Sequence, residues 1–393
     1  MKFKNSFFRI LAVALILASL LSQAALASER RGPLALSVDA AAAVIMEASS
    51  GEIVFEHNAT ARRSPASVTK VMTMLLIYEA IAQGRILWDD VVTTSEHAAS
   101  MGGSQIFLEP GEKQSVRDLT KAVVIASGND AAVALAEFIS GSEESFVDLM
   151  NKKAQQLGMV DTSFRNACGL DEQGHFTTAK DIAIMSRELI TKYPEVKEIA
   201  TIWMDTIIHK TARGESEFGL TNTNKLVRWY DGATGLKTGS TGEALYCLSA
   251  TALRGDMELI AVVLGADNPT TRFQEAMKML DYGFANYKVV KGQLAGTVVG
   301  HVPVEKGKTE TAAAMVKDLI SNVTEKGNNT EIQEEIILYN NIKAPIAPGD
   351  ILGEIIYTYE GEEMGRSPLV AEEAVERASL ADMVGRAFKA WFK

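Results

Sequence analysis

The sequence predicts a mixed α/β chain, followed by a smaller all-β unit and a terminal amphipathic helix. Three observations carry that expectation. Residues 68–82 are an almost wholly apolar run with helix punctuation at both ends. Residues 244–253 and 257–264 read as two strands around the turn Arg254-Gly255-Asp256. Beyond Tyr287 the chain changes to short Val/Ile stretches separated by Gly, Pro and Asn.

Taken in order, the N-terminus reads as an export signal over residues 1–27. Lys2, Lys4 and Arg9 precede an apolar run over residues 10–21, and Ala25-Leu26-Ala27 has the small residues of a cleavage site. A retained anchor is the alternative, but a membrane span takes about 20 apolar residues.

In the first long helix, Ser64 is the expected N-cap, Pro65 the first helical position and Gly84 the terminator. Val71, Met72, Met74, Leu75, Leu76 and Ile77 leave little polar surface, so the helix is expected to be buried on most sides. Ser67 then lies in the first turn, with Lys70 three residues on along the same face. A buried lysine beside another cation has a depressed pKa and can accept a proton. Ser-x-x-Lys is thus a nucleophile with a base, or a Ser and Lys at a helix start with the Lys reaching solvent.

Ser127-Gly128-Asn129 falls between apolar, alanine-rich helical stretches over residues 119–126 and 131–139. A small loop between buried helices can aim a hydroxyl and an amide inward; helix capping is the plainer reading. Lys237-Thr238-Gly239 follows turn signals at Asp231-Gly232 and Gly235 and is expected on a strand beside the hairpin. Gly239, without Cβ, would let a substrate lie along the strand edge, whereas a surface turn would give the triplet no role. At ordinary residue frequencies such a chain holds roughly one S-x-x-K, about one S-x-N and about 0.1 K-T-G. Order and local context therefore decide, and both favour a site.

Residues 273–287 are expected to form a helix, and residues 297–304, 332–339 and 351–359 to form strands of a small β unit over residues 287–370. That unit has no catalytic string of its own and suits a spacer or docking module. Residues 371–393 read as one helix in which Leu380, Val384, Ala387, Phe388 and Trp391 share a face, flanked by Arg386, Lys389 and Lys393. Such a helix fits a membrane interface, or else docks on the β unit.

Composition removes several classes. The 393 residues suffice for two or three domains, and a net charge of −11 argues against a nucleic-acid binder. Five scattered histidines, with no H-E-x-x-H and no C-x-x-C, give no zinc site. Neither a G-x-S-x-G elbow nor a phosphate-binding glycine loop occurs. Acylation and hydrolysis at a serine run on side chains and backbone N–H groups, so neither metal nor organic cofactor is expected. Cys168 and Cys247 make no disulfide framework, and whether they pair stays open.

Beyond the three strings, Ser50-Gly51-Glu52, the segment Ser104-Gln105-Ile106-Phe107-Leu108-Glu109-Pro110-Gly111, Gly169-Leu170-Asp171 and the run from Asp231 to Gly239 carry a resemblance over nearly the full length. The chain resembles low-molecular-mass penicillin-binding proteins of the D-alanyl-D-alanine carboxypeptidase family. One departure is Cys168, where the family often has His before Gly-Leu-Asp, so position 168 receives no catalytic role.

The resemblance implies a penicillin-binding, β-lactamase-like domain over residues 28–286. Its antiparallel sheet is built from N- and C-terminal strands and flanked by helices, with Ser67 at the sheet–helix junction. It implies that Ser67 is acylated by the penultimate D-alanine carbonyl, that Lys70 takes its proton and that Ser127 relays a proton to the leaving amine. Asn129 would bond the substrate amide, Lys237 would supply positive potential, and Thr238, with Arg272, would bind the terminal carboxylate. Backbone N–H groups of Ser67 and Ser240 would form the oxyanion hole. Implied partners are peptidoglycan stem peptides ending in D-Ala-D-Ala, β-lactams as covalent inhibitors, and the outer face of the cytoplasmic membrane, reached after export. A β-lactamase is the near rival, but no dedicated deacylation base is evident. A non-enzymatic penicillin-binding scaffold is the distant one, opposed by intact Ser67, Lys70, Ser127 and Lys237.

Overall fold

Burial on both faces explains the apolar runs of the central sheet. Strands β1 (Ala42–Glu47), β2 (Ile53–His57), β3 (Ala233–Thr241), β4 (Leu245–Arg254) and β5 (Met257–Ala266) are all antiparallel, in the order β2-β1-β5-β4-β3. Ala42, Val44 and Met46 of β1 join Ile260, Val262 and Leu264 of β5 in the main core. Ile45 and Leu259 face the other way, toward the helix Pro269–Asn286, where a Cβ on Gly283 would stand 2.5 Å from Leu259 Cδ1. A computed structural model of the chain describes residues 36–211 and 214–391. The expected export signal lies outside the described residues.

Helix α3 (Ala179–Lys192) covers the main-core face, α1 (Lys70–Ala82) packs between it and α2 (Asn129–Ser140), and α4 (Pro269–Asn286) covers the opposite face. As expected, α1 is buried from Lys70 to Tyr78. Its start differs from the sequence reading. The chain enters through a 3₁₀ turn, Ala66–Thr69, preceded by Pro65, and no side chain caps it. Ser64 instead donates its hydroxyl to Asp171 Oδ1 at 3.2 Å. The reason is local: Ala66 has φ +48°, an unusual conformation for an L side chain, so the entry is a sharp bend and not a capped α-helical turn.

The expected hairpin is β4 and β5, and the Lys237 triplet is on β3, which forms a sheet edge. Residues 116–126 are an α-helix, Val116–Lys121, that loosens into a π-turn, Ala122–Ala126, before Ser127. Cys168 and Cys247 are both buried and unpaired.

The C-terminal unit is a six-stranded sheet: Gln333–Leu338, Ile351–Tyr359, Glu362–Ala371, Thr311–Val316, Val298–Glu305 and Ile342–Lys343, in spatial order. Thr311–Val316 was not anticipated, because Ala312, Ala313 and Ala314 favour helix by propensity; a place inside the sheet overrides that. The last helix is shorter than the sequence suggests. The final strand runs to Ala371, Val375 pairs with Ile346, Ala378 is buried, and α5 begins only at Leu380 (Leu380–Trp391). Residues 371–378 satisfy their backbone in and beside the sheet, which removes them from the helix. Ser321 Oγ donates to Ser49 Oγ at 3.0 Å, and Lys291 Nζ to Asp256 O at 3.0 Å, joining this unit to the one before it. Among the described residues no helix is long and apolar enough to cross a membrane.

Candidate active site

Ser67 and Lys70 meet as the spacing requires. Lys70 Nζ lies 3.1 Å from Ser67 Oγ, 2.5 Å from Asn129 Oδ1 and 2.7 Å from the Cys168 carbonyl oxygen. Lys70 is fully buried, and burial lowers its pKa from 10.5 to about 8, with Cys168 and Asp130 acting in the raising direction. The sequence reading expected a neighbouring cation to contribute; burial is the leading cause. The repulsion falls on Lys237 instead, whose pKa is held well below normal by burial first, then by Lys70 and Arg272. Lys237 Nζ donates to Thr238 O at 3.1 Å.

Asn129 opens α2, and both ends of its amide are engaged within the protein. Oδ1 accepts from Lys70, and Nδ2 donates to Gly102 O at 2.6 Å. The next residue, Asp130, is buried and accepts from the backbone N–H groups of Ile106 and Leu108 at 3.1 Å each. It thereby fixes the loop that forms the wall beside Asn129. Ser127 sits at the end of the π-turn with φ +64°, almost wholly buried, its N–H reaching Ala122 O. A left-handed serine there reverses the chain between two buried helices, so Ser127 and Asn129 sit at facing helix ends.

Gly239 has a packing reason beside the one inferred from sequence. A Cβ there would stand 2.8 Å from Pro65 O and 2.9 Å from both Ser67 N and Val68 N. The missing side chain therefore lets the Ser67 turn press against β3, bringing Ser67 N–H beside the strand that carries Ser240. Thr238 Oγ1 donates to Thr223 Oγ1 at 2.7 Å, and Thr223 N–H donates to Ile125 O at 3.1 Å. Thr223 thus ties the Thr238 strand to the π-turn that presents Ser127. Arg272, from α4, donates to Gly239 O at 3.0 Å and Cys247 O at 3.4 Å, with its guanidinium carbon 4.8 Å from the Phe273 ring centre. It braces β3 through carbonyls, and its buried Nε has no partner among the described residues.

Several contributors were not legible beforehand. Position 168 acts through its carbonyl, which any residue type provides. The loop that carries it is held by Asn166 Oδ1, accepting from Gly169 N (2.7 Å) and Leu170 N (3.1 Å), and by Thr73 Oγ1 donating to Ala167 O (2.6 Å). Gly169 has φ +85°, and a Cβ there would lie 1.9 Å from Ala66 O, so only glycine allows this loop to meet the Ser67 turn. Asp171 Oδ1 accepts from Ser64 Oγ (3.2 Å) and Thr241 Oγ1 (2.7 Å), linking that turn to the end of β3. His175 Nδ1 accepts from Arg165 N–H at 3.2 Å, so its Nε2–H donates to Thr69 Oγ1 at 2.8 Å. Asp171 closes the Gly-Leu-Asp string and Asn166 stands three residues before it, the one signal available; Thr223 and His175 gave none.

Among the described residues no group of three or more His, Cys, Asp or Glu is arranged to hold a metal ion. Ser67 and Lys70 thus pair a hydroxyl with a depressed lysine against the strand that carries Lys237 and Thr238, an arrangement able to support acyl transfer through a serine ester.

Comparison with known proteins agrees in sequence and in structure. A family profile described as D-alanyl-D-alanine carboxypeptidase matches residues 27–268, and one described as penicillin-binding protein 5, C-terminal domain, matches residues 287–377. The chain is 45% identical over 359 residues to D-alanyl-D-alanine carboxypeptidase DacF of Bacillus subtilis, covering 91% of each chain. It is 35% identical over 374 residues to DacC of Escherichia coli, covering 91% of this chain and 90% of that one. Penicillin-binding protein 5 from Haemophilus influenzae superposes with a TM-score of 0.71 at 32% identity, over 88% of this chain and 100% of that one.

Proposed function

Since the chain belongs to the D-alanyl-D-alanine carboxypeptidase family and is itself a serine-type carboxypeptidase of peptidoglycan stem peptides, we propose the following roles for its residues. Ser67 Oγ attacks the carbonyl of the penultimate D-alanine while neutral Lys70 takes its proton. Negative charge developing on the carbonyl oxygen is held by the N–H groups of Ser67 and Ser240. Ser127 passes a proton to the departing D-alanine amine, and water then hydrolyses the ester and restores Ser67. Thr238 and Lys237 receive the terminal carboxylate. Burial, Lys70 and Arg272 all oppose charge on Lys237, so a carboxylate placed beside it favours its protonated form and couples binding to proton uptake. Arg272 supports this through Gly239 O, and Asn129 both steadies Lys70 and faces the substrate amide.

The observation that carries the reading is the 3.1 Å contact between Ser67 and a buried lysine whose pKa is lowered to about 8. No carboxylate among the described residues hydrogen-bonds Ser67 or Lys70, which supports slow hydrolysis of a penicilloyl ester and so a penicillin-binding protein over a β-lactamase. Labelled penicillin should give a long-lived adduct on Ser67, and Ser67→Ala should abolish both adduct and D-alanine release. Label on another residue, or activity in the alanine variant, overturns the assignment.

Residues 1–27 direct export, residues 28–286 carry the chemistry, the following sheet is a spacer, and α5 rests on the outer face of the cytoplasmic membrane. Leu380, Met383 and Val384 are exposed on α5, an apolar start to the face anticipated from sequence. Arg386, expected at the lipid headgroups, donates instead to Gly307 O and Lys308 O. It orients the helix on the sheet and leaves the exposed Leu380, Met383 and Val384 for lipid.

A further inference from the structure

We propose that a cavity beyond the end of β3 is the subsite for the third residue of the stem peptide, and that it takes a side chain ending in both an ammonium and a carboxylate. The proposal rests on the residue roles given above. With the terminal carboxylate at Thr238 and the scissile carbonyl between Ser67 and Ser240, a peptide lying along β3 must run its preceding residues past Thr241 toward Glu243. Asp171 stands there, bonded to Ser64 and Thr241. Beside it opens a cavity of about 510 Å³ whose lining includes Arg62, Arg63, Ser64, Asp171 and Glu243.

The charges in that lining differ in how far they are already committed. Arg62 is held by Asp161 at 2.8 Å and stacks on Phe176 at 4.8 Å. Arg63 bonds only through its backbone, to Thr177, and its guanidinium has no hydrogen bond or ion pair among the described residues. The Glu243 carboxylate is likewise without one, and both side chains are exposed. One open cation and one open anion thus line a single cavity on the path of the peptide. A diamino diacid such as diaminopimelate ends in an amino-acid head that answers both; a lysine side chain answers only Glu243; an alkyl side chain answers neither. Charge-assisted hydrogen bonds of this kind discriminate by roughly tenfold or more each.

D-Alanine release should be measured on three synthetic pentapeptides that differ only in the third residue: meso-diaminopimelate, L-lysine or L-alanine. The expected order of kcat/KM is diaminopimelate, then lysine, then alanine. Arg63→Ala should lower the diaminopimelate-to-lysine ratio about tenfold, with Arg63→Lys recovering part of it. Glu243→Gln should lower the lysine-to-alanine ratio by a similar factor, about tenfold. Equal kcat/KM for the three peptides, or ratios unmoved by both substitutions, overturns the subsite. Penicillin labelling of Ser67 in the unaltered protein reads the underlying roles separately. Label with flat selectivity removes the subsite alone, and no label removes the roles on which it rests.

Discussion

Lys70 Nζ has three acceptors within 3.1 Å, one more than a neutral amine has hydrogens. If two N–H bonds go to Asn129 Oδ1 and Cys168 O, the lone pair is left facing the Ser67 hydroxyl, the geometry of a general base. The rate of acylation should therefore rise with pH through about 8, where Lys70 loses its proton, and level off above it. Lys70→Arg should lower acylation at least 1000-fold, a loss of about 4 kcal/mol, because a guanidinium keeps its proton. Stopped-flow penicillin acylation against pH tests both, and an active arginine variant removes Lys70 as base. His175 gives a stability counterpart. Burial depresses its pKa to about 4, and its Nδ1 is committed as an acceptor. Between the unfolded value of 6.5 and about 4 the unfolded chain binds a proton that the folded chain refuses, so stability falls as pH falls through that window. The loss is on the order of 3 kcal/mol. Urea midpoints from pH 7 to 4 should show it, and His175→Gln should flatten the slope; an equal slope in the variant would mean that another group is responsible.

At the scale of elements, the site exists because two backbones meet where side chains are missing. Gly239 on β3 and Gly169 in the Cys168 loop both press against residues 65–68. Gly239→Ala must part β3 from the Ser67 turn by several tenths of an ångström. The expectation is a stability cost of about 1–3 kcal/mol and a fall of at least 100-fold in acylation, since oxyanion donors act over short distances. Thermal melts alongside acylation rates separate the two effects. A variant that melts lower yet acylates at the normal rate would show that the approach serves packing alone. Gly239 was visible in the sequence as part of a triplet, but its physical reason was not: the close neighbour is the protein's own turn, 172 residues earlier in the chain by number (239 against 67).

Across the whole molecule, the Ser67–Lys70 pair sits between the central sheet and its helices, and the amphipathic α5 follows a separate sheet. The boundary for removing α5 is set by the structure. A cut at Ala371 would take a buried residue paired with Ala314, whereas a cut before Ser379 spares the sheet. Deleting residues 379–393 should leave carboxypeptidase activity and melting temperature nearly unchanged and abolish sedimentation with anionic vesicles. Equal sedimentation of both forms would show that α5 is not the anchor, and a large drop in melting temperature would show a docked structural helix.

Elements whose pattern is local were legible from sequence alone: the apolar run of α1, the β4–β5 hairpin, the strand over residues 351–359 and the strand that carries Lys237-Thr238-Gly239 all stand where their residues indicate. Their signals are periodicity, turn chemistry and short spacing, which neighbouring residues set between themselves. Tertiary structure alone decided the uncapped bend before Ser67, the start of α5 at Leu380, the carbonyl of Cys168 on Lys70 and the bridge from Thr223 to Thr238. Each depends on groups far apart in the chain, and several are backbone atoms that every residue type carries, so no local choice of side chain could announce them.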